Sequence, residues 1–209
     1  MSRVISAADA DAIELAAAAL RSGAIVAIPT ETVYGLAALP LEASVERLVA
    51  AKQRSTEKGI QLLVDSVEQV RAVALLTEVA EQLAEAFWPG GLTLVLDRRP
   101  DVDLPELLGG GRPTLGLRLP DHDVPRRLAR LLGPLAASSA NISGEPDATT
   151  AALVAASLGE EVALIVDDGP VRGGVPSTVV DCSSAADEPR VLREGAISAQ
   201  AIAEALSRG

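Results

Sequence analysis

At 209 residues the chain suits one large domain or two small ones and buries a core without staples; Ala, Val and Leu supply most of its 48% hydrophobic share, while aromatics make up 1%. A net charge of −11 argues against broad nonspecific binding to nucleic acid, which needs Lys and Arg against phosphate, and leaves room for a local basic cleft. The single cysteine, Cys182, excludes an internal disulfide and a Cys-rich zinc site, and the single histidine, His122, excludes any site needing two.

The opening "MSRVISAADADAIELAAAALRSG" carries charges throughout its apolar part, unlike a signal peptide. No uncharged apolar run reaches the roughly 18–20 residues of a membrane span, so a soluble cytoplasmic protein is expected. Asp9 to Arg21 reads as a helix closed by Gly23, and "AIVAIP" (Ala24–Pro29) as a buried strand. "LEASVERLVAAK" is a second helix ending near Lys52, and "IQLLV" (Ile60–Val64) a strand. Ser66 with Gln69 forms a capping box for the next helix, and Thr77 to Phe87 forms another that stops at "WPGG". "LTLVL" (Leu92–Leu96) and "TLGLRL" (Thr114–Leu119) are strands around a looser stretch, followed by a helix starting at Asp121 or His122. "PLAASS", "VALIVD", "STVVDC" and "RVLR" are further strands, and Ser198 caps a final helix, "AQAIAEAL". The alternation predicts one α/β or α+β domain around a mixed sheet.

Several chemistries are absent. "GPVRGG" followed by "VPS" lacks the lysine of a P-loop, and no dinucleotide-binding glycine fingerprint follows the first strand. A Ser-His-Asp triad has only His122, in "LPDHDVP", and no Gly-x-Ser-x-Gly elbow. His122 is read instead as an exposed helix-start residue, and Cys182 as a small buried filler.

What remains is a set of polar clusters at the ends of apolar strands: "PTETVYG" (Pro29–Gly35), "KQRSTEK" (Lys52–Lys58), "SSANISGEP" (Ser138–Pro146), "VPSTVVD" and "LREG". Ligands in open α/β sheets bind outside strand ends, where these clusters can converge. Ser, Thr and Asn with backbone amides suit phosphate and carboxylate oxygens, and Lys and Arg neutralise charge in transfer at phosphorus. The available general bases are Glu31, Asp147 and Asp181. Taken singly, each cluster also reads as a turn, a cap or a helix-end charge.

"PTETVYGL", "KQR", "WPGGLTLVL", "LGLRLP", "SSANISG", "PSTVVD" and "LREG", in this order, resemble the YrdC-like family of L-threonylcarbamoyladenylate synthases, from about Val4 to Leu206 (4–206). The resemblance implies a single domain, a twisted mixed open sheet with flanking helices and a concave basic cleft. It implies threonylcarbamoyl-AMP and pyrophosphate made from L-threonine, bicarbonate and ATP, with Mg²⁺ on the phosphates and no assignable protein ligand. A tRNA threonylcarbamoyl-transferase complex would then take the product; direct tRNA binding would be weak. By the same resemblance, Thr32, Arg118, Ala137 and Ser177 bind threonine. Arg54, Lys58, Thr114, Ser139 and Arg193 line the nucleotide, while Lys52 and Asn141 complete the Lys-x-Arg and Ser-x-Asn signatures. Bicarbonate would carboxylate the threonine amine and the carbamate attack the α-phosphorus, with Arg54 and Lys52 stabilising the transition state. Tyr34 is either a wall for threonine or adenine or an anchor of its loop.

The chain departs from the family pattern at Ser55 (commonly Pro), Lys58-Gly59 and Leu63 (often Asn-Pro and His), the second glycine of "WPGG" (usually Pro), and Asp147 at a nucleotide contact. It is expected to lack the extra C-terminal domain of longer members. A same-fold paralogue with another or lost adenylation activity, and an RNA-binding module, are the competing readings.

Overall fold

The computed structural model describes residues 2–186 and 188–207. Its strands are β1 (Arg3–Ser6), β2 (Val26–Ile28), β3 (Gly35–Ala38), β4 (Gln61–Leu63), β5 (Leu92–Asp97), β6 (Thr114–Arg118), β7 (Leu135–Ser139), β8 (Leu164–Asp167), β9 (Thr178–Asp181) and β10 (Arg190–Arg193). The helices are α1 (Ala12–Arg21), α2 (Glu42–Ala51), α3 (Val67–Val73), α4 (Glu78–Phe87), α5 (Asp123–Leu132), α6 (Ala151–Leu158) and α7 (Ala199–Leu206), with one 3₁₀ turn at Glu106–Gly109. Among the described residues no helix is long and apolar enough to cross a membrane.

All ten strands form one mixed sheet in the order β1-β8-β2-β3-β7-β4-β6-β5-β9-β10, the open α/β arrangement expected from the sequence. Pairing is parallel for β1/β8, β2/β8, β4/β6 and β5/β9 and antiparallel elsewhere.

Local chemistry sets most boundaries. In α1, Ala12, Ile13, Ala16, Ala17 and Leu20 are buried on one helical face, and Gly23 at φ +80° turns the chain out of the helix. Thr77 and Ser198 cap α4 and α7 by accepting from Ala80 N and Ala201 N, each at 3.2 Å. At α3, Ser66 accepts from Gln69 N as a capping box requires. The Gln69 side chain, however, returns its bond to Asp65 N rather than to Ser66 N.

The two faces of the sheet are covered unequally. On one, Leu36, Leu62, Leu94, Leu117 and Val180 pack beneath α2, α3, α4, α6 and α7. On the other, only α1 and α5 pack down, over Val26, Ile28, Ala37, Leu135, Leu164 and Val166. Those residues belong to β8, β2, β3 and β7, at one end of the sheet. α5 also reaches Leu63 of β4, but among the described residues no α-helix covers the rest of that face, over Gln61 of β4 and over β6, β5 and β9. This bare stretch is the floor of the cleft.

Candidate active site

Sheet register builds the cleft floor. Ala137 of β7 lies opposite Gln61 of β4, and Gly116 of β6 lies opposite Val95 of β5. All four line the cleft, together with Thr93, Thr114, Arg118, Ser138, Ser139, Ser177 and Val179. Paired residues on neighbouring strands share a face, so alternate positions along four strands deliver this surface. Among the described residues, four guanidinium groups, those of Arg54, Arg112, Arg118 and Arg193, also line it, and no Asp or Glu does. In a chain of net charge −11 that segregation marks an anion site.

At one end, Arg118 is 2% exposed and is held from three sides. Its Nη2 donates to Glu31 Oε1 at 2.6 Å and to Thr32 Oγ1 at 3.0 Å, and its Nε donates to Gly90 O at 3.1 Å. Nη1 makes no hydrogen bond to any described residue. Glu31 is therefore the counter-ion that orients Arg118, and not a free base. Asp181 is committed as well, accepting from Ser183 N at 3.1 Å and Oγ at 2.7 Å.

Arg54 and Arg193 also face the cleft. Arg54 donates from Nε to Lys58 O at 3.2 Å and from Nη2 to Gly59 O at 3.0 Å. Arg193 donates from Nη2 to Ser177 O at 2.7 Å and to Ser177 Oγ at 3.3 Å. Burial pushes both guanidinium pKa values down; Arg193 adds to the effect on Arg54, while Arg118 adds to that on Arg193 and Asp147 opposes it. An anion between these groups relieves that repulsion.

Four of the expected site residues, Lys52, Asn141, Lys58 and Thr32, do not line the cleft. Lys52 does not line the cleft: it is 1% exposed, and its Nζ donates to Asn141 O at 2.7 Å, Asn141 Oδ1 at 3.0 Å and the Ser139 carbonyl. Ser139 Oγ donates to Asn141 Oδ1 at 2.6 Å, and Asn141 Nδ2 to Glu145 O at 2.6 Å. Lys52 and Asn141 thus form a buried knot that shapes the loop presenting Ser139. The Lys52 ammonium falls to about 8, first by burial and then by repulsion from Arg54, with Asp147 opposing. Gln53, between Lys52 and Arg54, takes φ 50°, a left-handed conformation that turns the chain at the end of α2. Lys58 is exposed and does not line the cleft; its carbonyl orients Arg54.

Thr32 is buried beneath Arg118, and its Oγ1 lies 2.9 Å from Thr30 Oγ1. Tyr34 is 0% exposed and does not wall the cleft. Its hydroxyl donates to Gly169 O at 2.8 Å, lies 3.2 Å from Asp167 Oδ1 and accepts from Asp168 N at 3.2 Å. Its backbone pairs with Ala140 and Ala148, so Tyr34 anchors three loops. His122 caps α5 as expected, accepting from Val124 N at 3.3 Å, but it is only 17% exposed at its side chain and pairs with Asp168 at 3.3 Å. Cys182 is buried, which pushes its thiol up to about 12.

Sequence reading missed Gln61, Thr93, Arg112 and Gly116, all of which line the cleft. A signal existed for two of them. Gln61 in "IQLLV" and Thr93 in "LTLVL" are lone polar residues within apolar strands, a pattern that calls for a partner or a ligand.

The Sua5/YciO/YrdC family model, described as "Telomere recombination", matches residues 18–195. The chain belongs to the Sua5/YciO/YrdC family. It is 42% identical over 193 residues to the threonylcarbamoyl-AMP synthase of Pyrococcus abyssi, covering 91% of this chain and 56% of that relative. It is 39% identical to the putative threonylcarbamoyl-AMP synthase of Mycobacterium tuberculosis H37Rv, covering 91% of this chain and 87% of the relative. The fold matches the crystal structure of P. abyssi Sua5 complexed with L-threonine at a TM-score of 0.90 and 38% identity, over 98% of this chain and 60% of that one. E. coli YciO shares the fold at a TM-score of 0.85 and 24% identity, over 97% of this chain and 100% of that one. The chain thus spans little more than half of the Pyrococcus relative and most of the Mycobacterium one.

Proposed function

We propose that this chain is a threonylcarbamoyl-AMP synthase, using L-threonine, bicarbonate and ATP. The observation that carries the reading is the cleft itself, lined among the described residues by four arginines and no carboxylate, in a family whose relatives carry that activity in their names. Threonine sits at the Arg118 end, its carboxylate on Nη1, with Thr32 setting the guanidinium from below and Ala137 and Ser177 beside it. The nucleotide lies toward Arg54, Thr114, Ser139 and Arg193. Lys52 and Asn141 act through Ser139, and Lys58 through its carbonyl on Arg54.

The chemistry has two balanced steps. The threonine amine attacks the carbon of bicarbonate and water leaves, giving a carbamate. A carbamate oxygen then attacks the α-phosphorus of ATP, the bond to the bridging oxygen breaks, and pyrophosphate departs. Arginines at the phosphate end stabilise the charge that spreads over the transferring group, an effect worth about 10²–10³ in rate for one well-placed donor. No general base at the phosphorus is required, because the attacking carbamate is already anionic. Mg²⁺ is treated as part of the ATP substrate: among the described residues no three His, Cys, Asp or Glu side chains gather to hold a metal. The product carries a reactive mixed anhydride, which suits handover to a tRNA threonylcarbamoyl-transferase complex in the cytoplasm.

Incubation with L-threonine, ¹³C-bicarbonate and MgATP, followed by mass spectrometry, tests the proposal. A threonine adenylate carrying one ¹³C carbon is expected. An adenylate that forms without the label, or no adenylate, would overturn it.

A further inference from the structure

The cleft floor contains a chain of side-chain hydrogen bonds that the proposed reaction has not yet used. Arg193 Nη2 donates to Ser177 Oγ at 3.3 Å, Ser177 Oγ lies 2.8 Å from Thr93 Oγ1, and Thr93 Oγ1 lies 2.8 Å from Gln61 Oε1. The chain runs from Arg193 of β10 by way of Ser177, just before β9, to Thr93 of β5, and passes over Gly116 of β6 to Gln61 of β4; Arg193, Ser177, Thr93 and Gln61 all line the cleft.

Its direction is set at the Gln61 end, where Thr93 Oγ1 donates to Gln61 Oε1. Thr93 has one proton, so the proton it shares with Ser177 comes from Ser177 Oγ, which also accepts from Arg193 Nη2. With Oε1 facing Thr93, Nε2 is the free end of the amide. Nε2 makes no hydrogen bond to any described residue, on a side chain that is half-buried in the cleft floor. The same direction leaves Ser177 Oγ as an acceptor toward the ligand, suited to the N–H of an amine.

Gln61 sits in the floor row Ala137, Gln61, Gly116 and Val95, between the Arg118 end and the Arg54 end, and it is the row's one polar side chain. Beside it, a Cβ added at Gly116 would meet Thr93 Cγ2 at 3.5 Å and Gln61 Cβ at 3.6 Å, ordinary contact distances. The protein therefore has room for a side chain at Gly116, and its absence leaves space above the floor for a ligand.

We propose that Gln61 is the residue that holds the carboxylate which bicarbonate contributes to the threonine amine, through its Nε2–H donors. The proposal rests on the threonylcarbamoyl-AMP synthase reading. The new carboxylate must form between the amine and the α-phosphorus, above this row. A neutral amide suits it, because a charge-assisted bond from a cation would hold the attacking oxygen more tightly and lower its nucleophilicity. The step retains its balance: amine and bicarbonate give carbamate and water, and Gln61 donates hydrogen bonds without exchanging a proton.

The test is pyrophosphate release as a function of bicarbonate concentration for the wild type, Gln61→Leu and Gln61→Glu, with threonine affinity measured by calorimetry in bicarbonate-depleted buffer. Gln61→Leu is expected to raise the bicarbonate KM about tenfold, the size of a lost hydrogen bond to a charged group, and to leave the threonine Kd within about twofold. Gln61→Glu is expected to raise it further, by repulsion. Thr93→Val, which frees the amide to rotate, is expected to raise the bicarbonate KM by less than Gln61→Leu does. An unchanged bicarbonate KM in Gln61→Leu would overturn the proposal, as would equal rises in the bicarbonate KM and threonine Kd, which would mark a general loss of shape. Absence of bicarbonate-dependent release in the wild type would instead overturn the functional reading beneath it.

Discussion

Tyr34 is the chain's lone tyrosine, and its hydroxyl is enclosed by three loop partners from residues 167–169. Tyr34→Phe leaves Gly169 O and Asp168 N without that partner, and is expected to cost about 1–3 kcal/mol in urea unfolding with near-normal turnover. Lost turnover at unchanged stability would return Tyr34 to the substrate. Gly195 sits at a closer contact: a Cβ there would run into Pro176 O and lie 2.7 Å from the Ser177 carbonyl. Gly195→Ala must displace the strand start that carries Ser177, so threonine affinity is expected to fall about tenfold with a stability loss of about 1–3 kcal/mol. Calorimetry with threonine alone checks this, and wild-type affinity would contradict it. Arg54→Ala is expected to lower kcat by about 10²-fold with a smaller change in the ATP KM, because the guanidinium serves the transferring phosphoryl group. A rise in KM alone would make Arg54 a ground-state binder.

At the scale of elements, the end of α2 departs most from what the sequence pattern led one to expect. The pattern Lys-x-Arg suggested two cations facing phosphate, since sequence spacing does not show that the left-handed Gln53 intervenes. Lys52 turns into the oxygens of the Ser139–Asn141 loop, where an ammonium serves more of them than an amine does. Turnover is therefore expected to fall on the alkaline side with a midpoint near 8, as Lys52 loses its proton. The sign for stability is opposite. The folded value lies below the ordinary 10.5, so the unfolded chain binds more protons between about 8 and 10.5, and the Lys52 contribution to stability rises there. A pH–rate profile with parallel thermal melts separates the two, and a profile flat to pH 9.5 would contradict the knot.

Elements with a strong local signal were legible, and those made by tertiary pairing were not. Ser66, Thr77 and Ser198 marked helix starts, and the apolar runs of β4, β5 and β6 marked strands. β3, "GLAA", has no strand propensity of its own and exists because β2 and β7 pair with it on both sides. α6, "AALVAASL", has too even an apolar pattern to show a helical face, although Thr150 caps it by accepting from Leu153 N at 3.2 Å. β1 buries only Ile5 and pairs with a strand some 160 residues away. In the cleft, the arginines at strand ends were legible as cations, while the direction of the Arg193–Gln61 chain required the sheet order.

At the scale of the whole molecule, the sheet's uneven cover and the sorting of charge act together. Two helices on one face leave a polar floor bare, and the acidic residues of a chain with net charge −11 stay off it. A fold that concentrates guanidinium groups over such a floor is arranged for a ligand with several negative charges, as the proposed threonine carbamate and triphosphate are. The most direct measurement of this account is pyrophosphate release from MgATP with L-threonine and bicarbonate omitted in turn. The account predicts release only when both are present. Release that ignores either one, or no release with both, would contradict carbamate adenylation in this cleft.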